Sequence, residues 1–244
     1  MAAGSIGRAM GPGERSAGAG TAPGKGEVLR RVLRPLRPLV RSLRRSTTGR
    51  RLVGARSRVA ASGVALTFDD GPHPRYTHEV LDVLAGAGVH ATFFVVGRNV
   101  RHHRATIDRI VEEGHALASH SMTHTDPWDL STLELWRDYR AGHLELCTAL
   151  GRDVRLFRPP KGYVDRRGAL AIRAARLQTY IWSLDAADWE PTLRPDEVVE
   201  RLGTPDLGDI ILLHDAIEGS LHPAALDRSA MTRVPHFAES FRPI

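Results

Sequence analysis

Five short clusters in this 244-residue chain hold side chains able to do chemistry. They are Asp69-Asp70 in TFDDGP (67–72), His120 and His124 in SHSMTH (119–124), Arg158 in FRPPKG (157–162), Asp185 and Asp188 in DAADW (185–189), and His214 in IILLHD (210–215). Adjacent carboxylates repel, and a cation that neutralises one while the other stays free as a base resolves the conflict. Consecutive strand residues face opposite ways, so Asp69 and Asp70 can share a site only where the strand breaks, which Gly71-Pro72 enforces. The plainer reading of Asp-Asp-Gly-Pro is a turn. His120 and His124 stand four apart, a spacing that stacks two side chains on a helical turn or closes them around an ion in a tight loop. Taken alone the pair also reads as two surface histidines; beside Asp70 it completes a two-His, one-carboxylate set. Such a set suits a divalent metal with positions open to water and substrate, zinc being a common occupant and other first-row ions compatible.

The elements that must position these residues follow from apolar patterning. Short apolar runs at 64–70, 91–97, 115–121, 155–160, 178–185 and 209–215 read as strands. Helical periodicity fills 76–87, 104–114, 131–150, 165–176 and 195–202 between them. The alternation predicts an α/β fold with a parallel sheet, either open or a (β/α) barrel of about six units. In both architectures the site lies at the carboxyl ends of the strands, where all five clusters fall.

Composition bounds the rest. With 42% hydrophobic and 25% charged residues the chain is of ordinary globular make-up. Its single cysteine, Cys147, excludes an intramolecular disulfide, a zinc knuckle and an iron–sulfur site. The net charge of +6 is unevenly spread: residues 1–58 hold 14 Lys+Arg against 2 Asp+Glu, and the remainder 20 against 26. The excess therefore sits in a terminal arm, and the mildly acidic body argues against a nucleic-acid partner. We expect 1–58 to be a disordered basic arm and 59–244 a catalytic domain. Within the arm, 29–45 is a basic amphipathic stretch interrupted by Pro35 and Pro38, able at most to touch an anionic membrane or a cell-wall polymer. No apolar run is long enough for a bilayer crossing, and the arginines deny a signal-peptide core, so the sequence by itself reads as cytoplasmic. Nothing in it speaks to oligomeric state.

In this order, TFDDGP, SHSMTH, FRPP-x-G, DAADW and IILLHD resemble the polysaccharide deacetylases, the NodB-homology carbohydrate esterases of family 4. The resemblance spans about residues 64–215. It implies a distorted, incomplete (β/α) barrel and an enzyme that often acts at the cell envelope. Laid on this chain, it implies Asp69 as general base, Asp70, His120 and His124 as ligands of a divalent metal, zinc foremost with cobalt or another first-row ion compatible, and His214 as general acid. Arg158 and Asp188 would orient and tune Asp69, and Trp189 and Leu212 would line a pocket for the acetyl methyl. A backbone N–H near Lys161 could help hold an oxyanion. Lys161, where relatives often carry an aromatic residue, and Tyr163 two places on mark a substrate-facing edge that departs from the family pattern. So does 220–244, which lacks the family's usual closing helix and strand.

The implied reaction removes N-acetyl groups from N-acetylglucosamine-containing glycans such as peptidoglycan or chitooligosaccharide. Two alternatives stand beside it. One is a same-fold amidohydrolase acting on a small non-sugar amide or a small glycoside. The other is a non-catalytic polyanion-binding protein with a relic metal site, against which the retention of Asp69 and His214 argues. Outside the motifs, His73, His78, His102 and His103 read as loop or helix-surface residues, and Trp128, Trp136 and Trp182 as packing. Asp185 reads as a turn cap or a partner of Asp188, and Cys147 as a small packed hydrophobe.

Overall fold

The structure, a computed structural model, describes residues 54–60, 63–190 and 192–216. The expected arm before residue 54 and the stretch 220–244 lie outside the described residues. Seven parallel strands alternate with helices: β1 Ala65–Asp69, α1 Tyr76–Ala87, β2 Thr92–Val95, α2 Gly97–His102, α3 Arg104–Glu112, β3 Ala116–Ser119, α4 Thr132–Leu150, β4 Leu156–Phe157, α5 Arg166–Ala174, β5 Gln178–Thr179, β6 Leu184–Asp185, α6 Pro195–Leu202 and β7 Ile210–His214. The strand order is β5-β4-β3-β2-β1-β7-β6, so β1 pairs with both the second strand and the last. A parallel sheet whose first and last strands meet has curled on itself, and β5 and β6 are the two edges left apart. This is the distorted, incomplete (β/α) barrel that the sequence leads one to expect.

Two-residue alternation divides the sheet into faces. Leu66, Phe68, Phe93, Val95, Leu117, Ile211 and Leu213 turn outward into one core with Leu81 and Leu84 of α1 and Ile107 and Ile110 of α3. Each such side chain contributes roughly 1.5–3 kcal/mol on burial. Ala65, Phe94, Ala118 and Ile210 turn inward with Tyr180. The same alternation that hides the outer residues therefore sends Thr67, Asp69, Leu212 and His214 to the inner face. The helices carry their own stop signals. A capping box between Ser131 and Glu134 starts α4, and Gly151 in the left-handed conformation follows it.

The run 178–185, read from sequence as one strand, is two. After β5, Tyr180 still pairs backward through its N–H to the Phe157 carbonyl, but Ser183 donates to the Ile210 carbonyl across the gap. The chain thus steps from one sheet edge to the other, a change of partner invisible to local propensity. A further turn of helix, α2, occupies 97–102, where the sequence reading has only the end of a strand. Residues 56–59 run between these edges: Arg56 N–H donates to the Thr179 carbonyl at 2.9 Å, Ile181 N–H to the Arg56 carbonyl at 2.8 Å, and Val59 N–H to the Gly208 carbonyl at 2.9 Å. The Arg58 guanidinium adds an ion pair to Asp209 at 2.6 Å. Arg56 and Arg58, charges that the composition assigns to the arm, are thus held on the sheet.

Candidate active site

The site is built where β1, β3 and β7 end. Parallel register sets Asp69 directly beside His214 on adjacent strands, and both point inward. Asp69 is 3% exposed, so its charge needs a buried partner, and Arg158, fully buried, supplies it. The Arg158 Nη1 donates to Asp69 Oδ1 at 2.6 Å and to Thr67 Oγ1 at 2.9 Å, and its Nε donates to the Tyr180 carbonyl at 3.3 Å. Its guanidinium lies over the Phe94 ring at 3.9 Å. Burial pulls the Arg158 pKa down and the Asp69 carboxylate opposes that. A planar fork with several fixed donors can do this in a dry interior, and an ammonium could not.

Asp70 escapes the alternation. Its φ of 79° turns the chain out of β1 and brings a second carboxylate into the same site. The next residue must be glycine: a Cβ at Gly71 would lie 2.3 Å from Asp215 Oδ2. Asp70 Oδ1 stands 3.4 Å from His120 Nε2 and 3.1 Å from His124 Nε2, and is buried without a hydrogen-bond partner. Burial disfavours its charge, but the two imidazoles hold its carboxyl well below the usual carboxylate range. Asp70, His120 and His124 thus form a group able to hold a metal ion. His120 Nδ1 pairs with the Arg158 carbonyl at 2.7 Å, which fixes the ring and leaves Nε2 as the free donor atom. An orphaned buried carboxylate oxygen facing two imidazole nitrogens, one backed by a carbonyl, is the donor set that a borderline first-row dication requires.

Of the two geometries open to His120 and His124, the chain uses the tight loop. Ser121 and His124 have φ of 69° and 57°, conformations worth about 1–3 kcal/mol of strain each where the side chain is not glycine. Long-range bonds hold the loop against that strain. Gly97 N–H donates to the Ser121 carbonyl, Arg98 N–H to the Met122 carbonyl, and Met122 N–H to the Asp138 carbonyl of α4. Thr123 N–H and Oγ1 both reach Asp138 Oδ1, and His124 N–H reaches Ser121 Oγ. Gly142 makes the approach possible, since a Cβ there would meet the Ser121 carbonyl at 2.3 Å.

A second pair completes the rim. His214 Nδ1 lies 2.7 Å from Asp188 Oδ1, and His214 N–H donates to Asp188 Oδ2 at 2.8 Å. Burial works against charging His214, but the Asp188 hydrogen bond and charge, with Asp70 and Asp69 beyond, raise its pKa to about 9. Asp185 accepts from Ala187 N–H at 2.8 Å and so caps the turn that delivers Asp188. Asp188 is thus in contact with His214, whereas Arg158 is the group that touches Asp69. Leu212 is buried on the inner face two residues before His214, in register with Thr67 and Asp185, and Trp189 follows Asp188 half-buried. Lys161 is exposed at φ 60° in the 3₁₀ turn Pro160–Gly162. Tyr163 meets Trp128 edge-on at 5.7 Å.

Residues that the sequence reading passes over also build the site. Thr67 links Arg158 to β7 by donating to the Ile211 carbonyl at 2.6 Å. Thr77 donates to Asp215 at 2.6 Å, and burial raises that carboxyl to about 7. Thr67 could have been found as a polar residue on the inner face, and Asp215 by its place beside His214. Asp138 carries no local signal.

Comparison with known proteins identifies the family. The family described as polysaccharide deacetylase matches residues 56–180. A peptidoglycan-N-acetylglucosamine deacetylase of Bacillus cereus is 34% identical over 154 residues, covering 62% of this chain and 72% of that one. A chitooligosaccharide deacetylase of Sinorhizobium fredii is 39% identical over 164 residues, covering 66% and 75%. The solved family 4 carbohydrate esterase of Streptomyces lividans, in complex with acetate, superposes with a TM-score of 0.65 at 27% identity, covering 76% of this chain and 98% of that one. The chain belongs to the polysaccharide deacetylase family, and is a hydrolase of the class that cleaves carbon–nitrogen bonds other than peptide bonds. No helix among the described residues is long and apolar enough to cross a membrane.

Proposed function

We propose that the protein removes N-acetyl groups from N-acetylglucosamine-containing glycans, peptidoglycan or chitooligosaccharide, by metal-assisted hydrolysis. The observation that carries this reading is the juxtaposition of a buried Arg158-held Asp69, the Asp70–His120–His124 donor set and the Asp188-held His214 around one strand end. Asp70, His120 and His124 would hold a divalent ion, zinc foremost with cobalt also suited. Such an ion supplies Lewis acidity, lowering the pKa of water and polarising an amide carbonyl.

The chain's own residues do the rest. Asp69, held and oriented by Arg158, takes the proton from the attacking water as the amide carbon becomes tetrahedral. His214, protonated at neutral pH because Asp188 stabilises its charge, stands in register beside Asp69 and gives its Nε2 proton to the departing amine. The carbon–nitrogen bond breaks, releasing acetate and a free amino sugar. Leu212 and Trp189 would bound the acetyl methyl, while Lys161 and Tyr163 on the 160–163 turn would set what approaches the outer edge. A backbone N–H near Lys161 would add an oxyanion donor, each such group being worth roughly 10²–10³ in rate.

The test is acetate release from chitooligosaccharides and peptidoglycan fragments by metal-stripped protein, with and without added zinc or cobalt, and with Asp69→Asn as the blank. Metal-dependent acetate above the blank is expected. Its absence on both glycans, with metal bound, would overturn the glycan reading and favour a small non-sugar amide.

A further inference from the structure

The described residues hold one other trio of metal-ligating side chains, His143, Cys147 and Asp153. It lies where α4 runs out and the chain turns into β4, at the edge of the sheet opposite the strand carboxyl ends that build the active site. His143 and Cys147 are four apart on α4 and share a helix face. Asp153 folds back from the turn after Gly151.

His143 Nε2 stands 3.6 Å from Asp153 Oδ1 and 3.8 Å from Cys147 Sγ, and Cys147 Sγ stands 3.9 Å from the same carboxylate oxygen. Cys147 Sγ is also 3.5 Å from His143 Nδ1, so the sulfur makes only long contacts with the other two groups, while the His143–Asp153 separation is too long for a hydrogen bond. Yet they form a nearly equilateral triangle, and a point equidistant from its corners lies about 2.2 Å from each. Zinc binds imidazole nitrogen and carboxylate oxygen at about 2.0–2.2 Å and thiolate sulfur at about 2.3 Å. The trio therefore has the mutual separations of three atoms that share one such ion.

Every donor is also fixed from behind. His143 Nδ1 pairs with the Val154 carbonyl at 3.0 Å, the backing that leaves Nε2 free to ligate. Cys147 Sγ accepts from Val154 N–H at 3.4 Å, which positions the sulfur; burial and the Asp153 carboxylate push its thiol pKa up, so an incoming dication would have to displace the proton. Asp153 Oδ2 is taken by Arg155 Nε at 2.6 Å, leaving Oδ1 turned inward. The Asp153 side chain is 52% exposed, so a fourth position faces solvent. We infer that His143, Cys147 and Asp153 form a second divalent-cation site, selective for a borderline-soft first-row ion such as zinc, that ties the end of α4 to the start of β4. A thiolate, an imidazole and a carboxylate together suit such an ion and suit calcium or magnesium poorly.

Cobalt(II) titration of the metal-stripped full chain tests this independently of the active-site reading. Cys147 is the chain's sole cysteine, so a thiolate-to-cobalt charge-transfer band can arise nowhere else. The band is expected to appear, to survive His120→Ala, to vanish in Cys147→Ser with one fewer equivalent of cobalt bound, and to need at least tenfold more cobalt in His143→Ala. Asp153→Asn, at an exposed position, should weaken it similarly and, in the His120→Ala background where the active-site donor set is broken, abolish the remaining zinc-dependent rise in melting temperature. No band at saturating cobalt, or one of undiminished affinity in both His143→Ala and Asp153→Asn, would overturn the inference.

Discussion

Replacing Asp188 by Asn changes one charge and little shape, and its effect can be worked from the geometry. Asp188 accepts two hydrogen bonds from His214, at Nδ1 and at the backbone N–H, and its charge is the nearest reason that a buried imidazole titrates at about 9. Without that charge, burial acts on His214 with less opposition, and its pKa should fall to its ordinary 6.5 or below. The change is worth about 3 kcal/mol. At pH 7.5 the protonated fraction of His214 drops from nearly all to about a tenth, so a general acid would lose about tenfold in kcat/KM from protonation alone. The sign is defined. A raised imidazole pKa keeps the proton below about 9 and releases it above, so the wild-type enzyme should lose kcat/KM as pH rises through about 9. In Asp188→Asn that limb should move to about 6.5 or lower, with activity partly recovered by acidification. Two measurements check it: the pH profile of kcat/KM on an N-acetylated chitooligosaccharide, and the NMR titration of the His214 ring in metal-free protein. An unchanged basic limb, together with a ring that still titrates near 9, would refute the role assigned to Asp188.

Metal and base should separate: His120→Ala should lose bound metal by elemental analysis, whereas Asp69→Asn should keep it and lose about 10²–10⁴-fold in turnover. Arg158→Met should leave the Asp69 carboxylate buried without its partner and cost about 3–5 kcal/mol, read as a lowered denaturation midpoint in urea. Removing residues 1–53 should leave kinetics on a soluble substrate unchanged. Removing 1–60 also takes three backbone hydrogen bonds of Arg56 and Val59 and the Arg58–Asp209 ion pair, and should lower stability by about 3–4 kcal/mol at roughly 1 kcal/mol per lost interaction, read as a melting temperature lower by several degrees or more.

Much of this protein is legible from local sequence because two-residue alternation and strand-end chemistry are local. VALTFDD announces both a strand and the point where it stops, and a (β/α) chain has to place its reactive groups at such ends. The residue types at those ends, two aspartates, two histidines four apart, an arginine and a last histidine, offer the donors, base and acid that the proposed metal-assisted hydrolysis needs, and their order carries the family resemblance before any contact is known. What tertiary structure decided is which group meets which. That Arg158 takes Asp69 and leaves Asp70 to the histidines depends on the φ of Asp70 and on a guanidinium 89 residues away in sequence. Asp188 could as well have served Asp69, and it is the β1–β7 register that sets His214 beside Asp69 while the turn capped by Asp185 brings Asp188 to the imidazole. The division of 178–185 between two sheet edges follows from the curl of the sheet, as does the pairing of Arg56 and Arg58 with it. The loop 121–124 has a conformation its own residues disfavour, held by α2 and by Asp138 and Gly142 of α4. Local sequence encodes propensity and donor chemistry, but the energy that holds a strained loop or a buried charge comes from residues distant in the chain, and only the folded chain brings these together.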